Sequence, residues 1–214
     1  MTAASKGLFI TFEGGEGTGK STQAARLAQY LARAGHEAVL TREPGGTAAA
    51  EALRTLLLDP ANDLDPLEQV LVLLAARANH VRTLIRPALA RGAIVICDRF
   101  SDSTMAYQGL AGGLGRERID ELHRQTLAGF RPDLTLLLDL PVEAALERRS
   151  ARGGPDDRFE ARNMSFHRDL RQAFLEIAAG EPGRVTVIDA APEPEAVWET
   201  VRKTVERRLE EVSG

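Results

Sequence analysis

Apolar residues along this chain follow two periods that take turns. Leu8-Phe9-Ile10-Thr11-Phe12 is a short apolar run bounded by Gly7 and Gly14, as a strand buried on both faces requires. Behind it Ala24, Leu27, Ala28 and Leu31 recur at helical spacing, which predicts a helix over about 19–34 that Gly35 stops. Further apolar runs predict strands near 38–41, 93–97, 134–139 and 184–189. Between them, helical periodicity predicts a segment capped by Thr47 and reaching about Leu58, then a long helix over about 67–91 bent near Pro87. Later helices are expected over about 101–109, 116–128, from Pro141 toward Ser150, over 160–179 and over 193–211. Strand and helix alternating in this way imply an α/β fold, a five-stranded parallel sheet with helices on both faces. Proline and glycine fall between elements and never form a long linker, so residues 1–214 are read as one domain with a mobile insert near 150–160.

Composition narrows the class only a little. The chain has 214 residues, 43% hydrophobic and 27% charged, enough for one sizeable core. A formal charge of −4 gives no electrostatic reason to expect nucleic acid or a membrane surface as partner. Cys97 is the only cysteine, no apolar stretch approaches the ~20 residues of a membrane span, and no leader pattern precedes the first strand, so the expectation is cytoplasmic.

The first strand runs into Gly14-Gly15-Glu16-Gly17-Thr18-Gly19-Lys20-Ser21, followed by Thr22, and this reads G-x-x-x-x-G-K-[ST]. Strand, glycine loop and helix together are the context in which backbone N–H groups wrap a triphosphate. Lys20, read as a solvent-facing loop lysine, reaches the β- and γ-phosphates, and the Ser21 hydroxyl is placed for Mg²⁺. The fold class is therefore a P-loop α/β fold. The motif leaves a G-protein, an ATPase motor and a small-molecule kinase open.

Three further features narrow that choice. Asp98-Arg99 ends the third strand, at the sheet edge where open α/β sheets bind ligands. There a carboxylate can serve a metal and an arginine can clamp a phosphate, although a strand-end ion pair is the plain alternative. Arg148, Arg149, Arg152 and Arg158 cluster around Gly153-Gly154-Pro155. Arg148 and Arg152 share a helix face, so an anion among them is expected, and the glycines suit a closing lid over about 148–160. A solvated basic face is the alternative there. Third, Glu16 places a carboxylate inside the phosphate loop, tolerable where it points outward to a hydrogen-bond donor such as a sugar hydroxyl.

Phe12-Glu13-Gly14 with Glu16, Thr41-Arg42-Glu43-Pro44-Gly45-Gly46-Thr47, Ala75-Ala76-Arg77, and Asp98-Arg99 followed by Ser103-Thr104-Met105-Ala106-Tyr107-Gln108-Gly109 together resemble the bacterial thymidylate kinases. The likeness runs in order from about residue 7 to 190. It implies transfer of the γ-phosphate of ATP to dTMP with Mg²⁺, in dTTP synthesis, and a homodimer. The resemblance assigns the loop amides and Lys20 to ATP, and Ser21 and Asp98 to the metal. It gives Arg99 to the dTMP phosphate, Glu16 to the 3′-hydroxyl and Arg77 to a thymine carbonyl. Thr104 and Gln108 then face the base, Tyr107 sits against C2′, and Arg152 is the lid arginine, with Arg148 and Arg158 as alternates. Leu73 stands where the family usually has a phenylalanine that stacks on thymine, with Phe100 nearby to compensate in part. Another nucleoside monophosphate or deoxynucleoside kinase and a regulatory or partition-type P-loop ATPase are the rival functions.

Other residues receive plainer expectations. His36, His123 and His167 read as surface or capping residues, since no metal spacing joins them. His80, three residues past Arg77 on the same helix, also receives the plain reading, with a substrate-side role as the alternative. Cys97 reads as a small buried apolar residue and Asp139 as structural.

Overall fold

The computed structural model describes residues 7–152 and 163–213, with the side chains of Arg149, Arg152 and Ser213 outside that description. Five strands form one parallel sheet: β1 Leu8–Glu13, β2 Ala38–Arg42, β3 Ile94–Asp98, β4 Leu134–Asp139 and β5 Val185–Asp189. Their spatial order is β2-β3-β1-β4-β5. The helices are α1 Lys20–Arg33, α2 Ala48–Leu58, α3 Pro66–His80, α4 Arg86–Ala90, α5 Ser101–Thr104, α6 Arg116–Leu127, α7 Val142–Arg152, α8 Met164–Gly180 and α9 Pro194–Ser213.

Alternation along the strands divides the core between the two faces. Leu8, Ile10 and Phe12 of β1 pack with α1 and α9 through Leu27, Leu31, Trp198 and Val201. Phe9, Val95 and Cys97 point the other way, onto Val81, Ile85, Ala88 and Phe100. Leu137 and Val185 share that second side with Val70, Leu74, Leu170 and Phe174. The three inner strands β1, β3 and β4 are buried on both sides and read as apolar runs, whereas the edge strands β2 and β5 expose Leu40 and Val187.

Register brings the chemistry to one edge. Phe12 and Arg42 both pair with Asp98, and Phe12 also pairs with Leu136. The residues that follow β1 and β3 therefore leave the sheet side by side, where the strand order reverses.

Two helices depart from regular α geometry. Val81–Ile85 is a π-helical turn between α3 and α4, so the expected bend lies just ahead of Pro87. Pro87 has no N–H and its ring crowds the carbonyl four residues back, which displaces the hydrogen-bond ladder there. Met105–Leu110 is a second π-helical turn, continuing α5 and carrying Tyr107 and Gln108.

Candidate active site

The phosphate end is built from the segments following β1 and β3. A Cβ on Gly14 would lie 2.4 Å from the Leu138 carbonyl oxygen, and one on Gly17 would lie 2.1 Å from that of Ala145. Both glycines also have positive φ, so the loop sits against β4 and α7 as only glycine permits. Gly15 O accepts from Thr18 Oγ1 at 3.0 Å and from Lys20 Nζ at 2.6 Å. Lys20 is accordingly 6% exposed, where the sequence suggested a solvent-facing residue. The correction has a simple cause: the side chain folds back over its own loop. Burial, followed by the neighbouring Arg99, lowers its pKa to about 8, against the pull of Glu16, Asp98 and Glu13. Lys20, Ser21 and Thr22 line the cleft with Gly17 and Gly19.

Ser21 Oγ donates to Asp98 Oδ2, joining the first residues of α1 to the end of β3. The other carboxylate oxygen, Oδ1, is buried and takes no hydrogen bond among the described residues. A carboxylate with one orphaned oxygen beside a hydroxyl fits a hard divalent cation that draws its other ligands from phosphates and water. Among the described residues no group of three or more His, Cys, Asp or Glu side chains could hold a metal ion.

Arg99 follows at φ 70, a left-handed conformation unusual for a residue with a Cβ. Its N–H donates to Phe12 O at 2.9 Å. Glu13 secures the turn from below, accepting from Phe100 N at 2.7 Å, Ser103 N at 3.2 Å and Ser103 Oγ at 2.6 Å. Burial, and then repulsion from Asp102, raises the Glu13 pKa to about 7. The Arg99 guanidinium donates to Gly14 O at 3.0 Å, to Ser103 Oγ at 3.1 Å and to Glu16. It also stands 5.2 Å above the Tyr107 ring, whose hydroxyl donates to Glu16 at 3.0 Å. Burial opposes the Arg99 charge, yet Glu16, Tyr107 and Asp98 outweigh it and raise the pKa. Glu16, expected to aim at a sugar hydroxyl, is thus held by Arg99 and Tyr107, because the loops after β1 and β3 bring opposite charges together.

At the base end, Gln69, Leu73, Arg77 and His80 recur at spacings of four, four and three and form the buried stripe of α3. Arg77 Nε donates to Glu43 Oε2 at 2.6 Å, and Nη2 donates to Phe100 O at 3.1 Å and Thr104 Oγ1 at 2.9 Å. Its guanidinium lies 5.0 Å over the Phe100 ring. Nη1 is buried without a hydrogen-bond partner among the described residues, and Arg77 lines the cleft.

His80 does not line the cleft, contrary to a substrate-side role. It is fully buried, with Nδ1 on Glu43 Oε1 at 2.9 Å and Nε2 on Thr41 Oγ1 at 2.8 Å. Gly46 closes over this pair, since a Cβ there would fall 2.5 Å from His80 Nε2. Phe100 lines the cleft with Leu73, its ring lying under Arg77 and edge-on to Phe9 at 5.0 Å.

The cleft joining the two ends has a volume of about 330 Å³. Pro44, Leu57, Leu58 and Leu73 give it an apolar wall, and Thr104, Tyr107 and Gln108 line it from the segment after β3. Arg42 and Arg54 also line it, and sequence reasoning missed both. Arg54 donates to Pro44 O at 2.8 Å. Its signal was available: Thr47 caps α2, and Arg54, Leu57 and Leu58 then fall on one side of that helix at spacings of three and four.

The expected lid fares differently. Arg152 ends α7 with its side chain outside the described residues, and Arg158 lies outside them altogether. Arg148 does not line the cleft; its guanidinium donates to Ala190 O at 2.7 Å and Ala191 O at 2.9 Å, fastening α7 to the loop after β5. Asp139 takes both donors of a fork from Arg171, at 2.7 and 2.8 Å, the structural role expected for it. Cys97 is buried, as its strand position implied. His123 and His167 are buried too, not on the surface, because each sits on the inner face of its helix.

Known proteins match this arrangement over most of its length. A family model described as Thymidylate kinase matches residues 12–201. A thymidylate kinase of Caulobacter vibrioides is 51% identical over 205 residues, covering 95% of this chain and 98% of the relative. One from Bradyrhizobium diazoefficiens is 48% identical over 210 residues, with coverage of 97% and 92%. The crystal structure of thymidylate kinase from Ehrlichia chaffeensis superposes with a TM-score of 0.77 at 37% identity, covering 94% of this chain and 98% of that one. On that likeness, the chain belongs to the thymidylate kinase family.

Proposed function

We propose that this chain transfers the γ-phosphoryl group of ATP to dTMP, giving ADP and dTDP. The observation that carries the reading is the single cleft with two unlike ends. Lys20, Ser21 and Arg99 gather at one, and Arg77, whose buried Nη1 has no hydrogen-bond partner among the described residues, lines the other. A regulatory ATPase has no use for that second end.

Roles follow from the contacts. The loop amides and Lys20 hold the ATP phosphates, with the positive end of α1 behind them. Arg99 takes the dTMP phosphate, exchanging its hold on Glu16 for the incoming anion, and Glu16 is freed for the 3′-hydroxyl. Arg77 donates through Nη1 to a carbonyl of the base, Thr104 and Gln108 flank it, and Leu73 supplies apolar contact without a π-face. Tyr107, beside Glu16, disfavours a ribose 2′-hydroxyl. Mg²⁺ fits Ser21 Oγ and the orphaned Asp98 Oδ1, and when bound it neutralises charge developing on the phosphates. In-line transfer between two held anions needs positioning and charge compensation more than covalent help, and Arg152 is the proposed lid contribution.

The chain is taken as one domain acting in the cytoplasm without nucleic-acid or membrane partners; no described helix is long and apolar enough to cross a membrane. Exposed Leu56 and Leu71 on the adjacent α2 and α3 favour a homodimer packed through these helices, and light scattering at twice the chain mass is the expected result. Coupled ADP release with ATP and a panel of acceptors tests the reaction itself. We expect turnover with dTMP and none with thymidine, which lacks the phosphate for Arg99. A preference for dCMP or AMP, or ATP consumption indifferent to any acceptor, would refute the assignment.

A further inference from the structure

Behind the base end, two buried amides form a relay, of which the proposed chemistry uses Gln108 and leaves Gln69 without a role. Gln69, 5% exposed, donates from Nε2 to the Leu64 carbonyl oxygen at 2.8 Å. Its Oε1 accepts from Gln108 Nε2 at 3.1 Å. Gln108 is itself 3% exposed and lines the cleft.

The direction of this relay is set by chemistry at its origin. A backbone carbonyl only accepts, so Gln69 must turn its NH₂ toward Leu64. Flipped, two oxygens would face each other. Gln69 then offers only its carbonyl to Gln108, which must answer with NH₂. The oxygen of Gln108 is left over, and no donor is recorded for it among the described residues.

We propose that Gln69 is a specificity-determining positioning residue: through its grip on the Gln108 amide it makes the cleft present an acceptor beside the Arg77 donor. This rests on the base-reading assignment above. A donor and an acceptor together match a pyrimidine with a 4-carbonyl and an N3–H. Cytosine offers the reverse at both atoms, a 4-amino donor and an N3 acceptor, and is refused twice. The choice of keto pyrimidine is thereby fixed by a side chain that touches no nucleotide.

The test compares wild type with Gln69→Met, which keeps the volume but loses both hydrogen bonds, and Gln69→Glu, whose buried carboxyl is expected to stay protonated, its O–H donating to the Leu64 carbonyl and its C=O accepting from Gln108. Steady-state rates are measured with dTMP, dUMP and dCMP. For Gln69→Met we expect KM for dTMP to rise ~10-fold with kcat changed less than about twofold, since one buried hydrogen bond is worth about a factor of ten. The dTMP-to-dCMP ratio of kcat/KM should fall by a similar factor. The dTMP-to-dUMP ratio should hold, because both bases carry N3–H and O4, and KM for ATP should not move. Gln69→Glu should keep the dTMP-to-dCMP ratio within about threefold of wild type. If Gln69→Met does not fold, Gln69→Asn, one methylene too short to bridge Leu64 and Gln108, takes its place with the same expectation. A ratio unmoved in Gln69→Met, or lost equally in Gln69→Glu, overturns the proposal while leaving the dTMP kinase reading intact. A wild-type enzyme that does not distinguish dTMP from dCMP overturns the reading beneath it as well.

Discussion

At the phosphate end of the cleft, charged side chains rest on partners that a ligand can replace, whereas at the base end the partners are permanent parts of the protein. Lys20 leans on a loop carbonyl and Arg99 on Glu16, two carbonyl or hydroxyl oxygens and a tyrosine face. Arg77 is gripped by Glu43, Phe100 O and Thr104, and Glu43 is gripped in turn by His80. An anion that arrives and leaves in each cycle needs cations able to change partners. A neutral base is recognised by few hydrogen bonds, so their donors must already be aimed.

The contrast breaks most severely at Lys20. Lys20→Ala should lower kcat/KM for ATP by ~10³ or more while leaving the thermal midpoint within a few degrees, because its hydrogen-bond partner among the described residues is a carbonyl that water can satisfy. The coupled assay and a melting curve check the two halves together. Arg77→Leu should do the reverse: about 3–5 kcal/mol of stability lost as Glu43 is left buried without its arginine, with dTMP affinity lost alongside. Urea unfolding reads the first quantity and dTMP titration the second.

Two pH effects are smaller. Glu13 binds its proton more tightly folded, near pKa 7, than unfolded, near 4.5. The native state therefore holds more protons between those values, and stability falls as pH rises from about 4.5 to 7, by ~3 kcal/mol at 1.36 per unit. Glu13→Gln, neutral throughout, should flatten that part of the profile in urea unfolding at pH 5, 6 and 7. Lys20 is depressed to about 8, so the free enzyme loses this charge above that pH and keeps it below. KM for ATP should rise several-fold between pH 7.5 and 9 in initial-rate measurements, and less in Lys20→Arg, whose charge persists.

The same contrast explains what could be read from sequence. The phosphate loop is contiguous, its glycines are required by close approach to Leu138 and Ala145, and β3 delivers Asp98-Arg99 by register with β1, so a local motif carries the geometry. Strands buried on both faces announced themselves as apolar runs. The base end is assembled from α3, the loop after β2 and a π-helical turn, with side chains meeting across 23 to 39 positions. Periodicity shows that Gln69 and His80 face inward, but gives no partner for either. Arg54 was hidden in the same way on α2, and Arg148 looked like a lid arginine until the loop after β5 supplied two carbonyls for it.

The central claim is that two phosphate-bearing ligands meet head to head in one cleft between Lys20 and Arg77. Calorimetric titration with thymidine and adenosine joined 5′ to 5′ through a chain of phosphates tests this most directly. One molecule should bind per chain, with its heat abolished by saturating dTMP alone and by saturating ATP alone. Binding that survives either competitor would place the two nucleotides in separate sites and contradict the account.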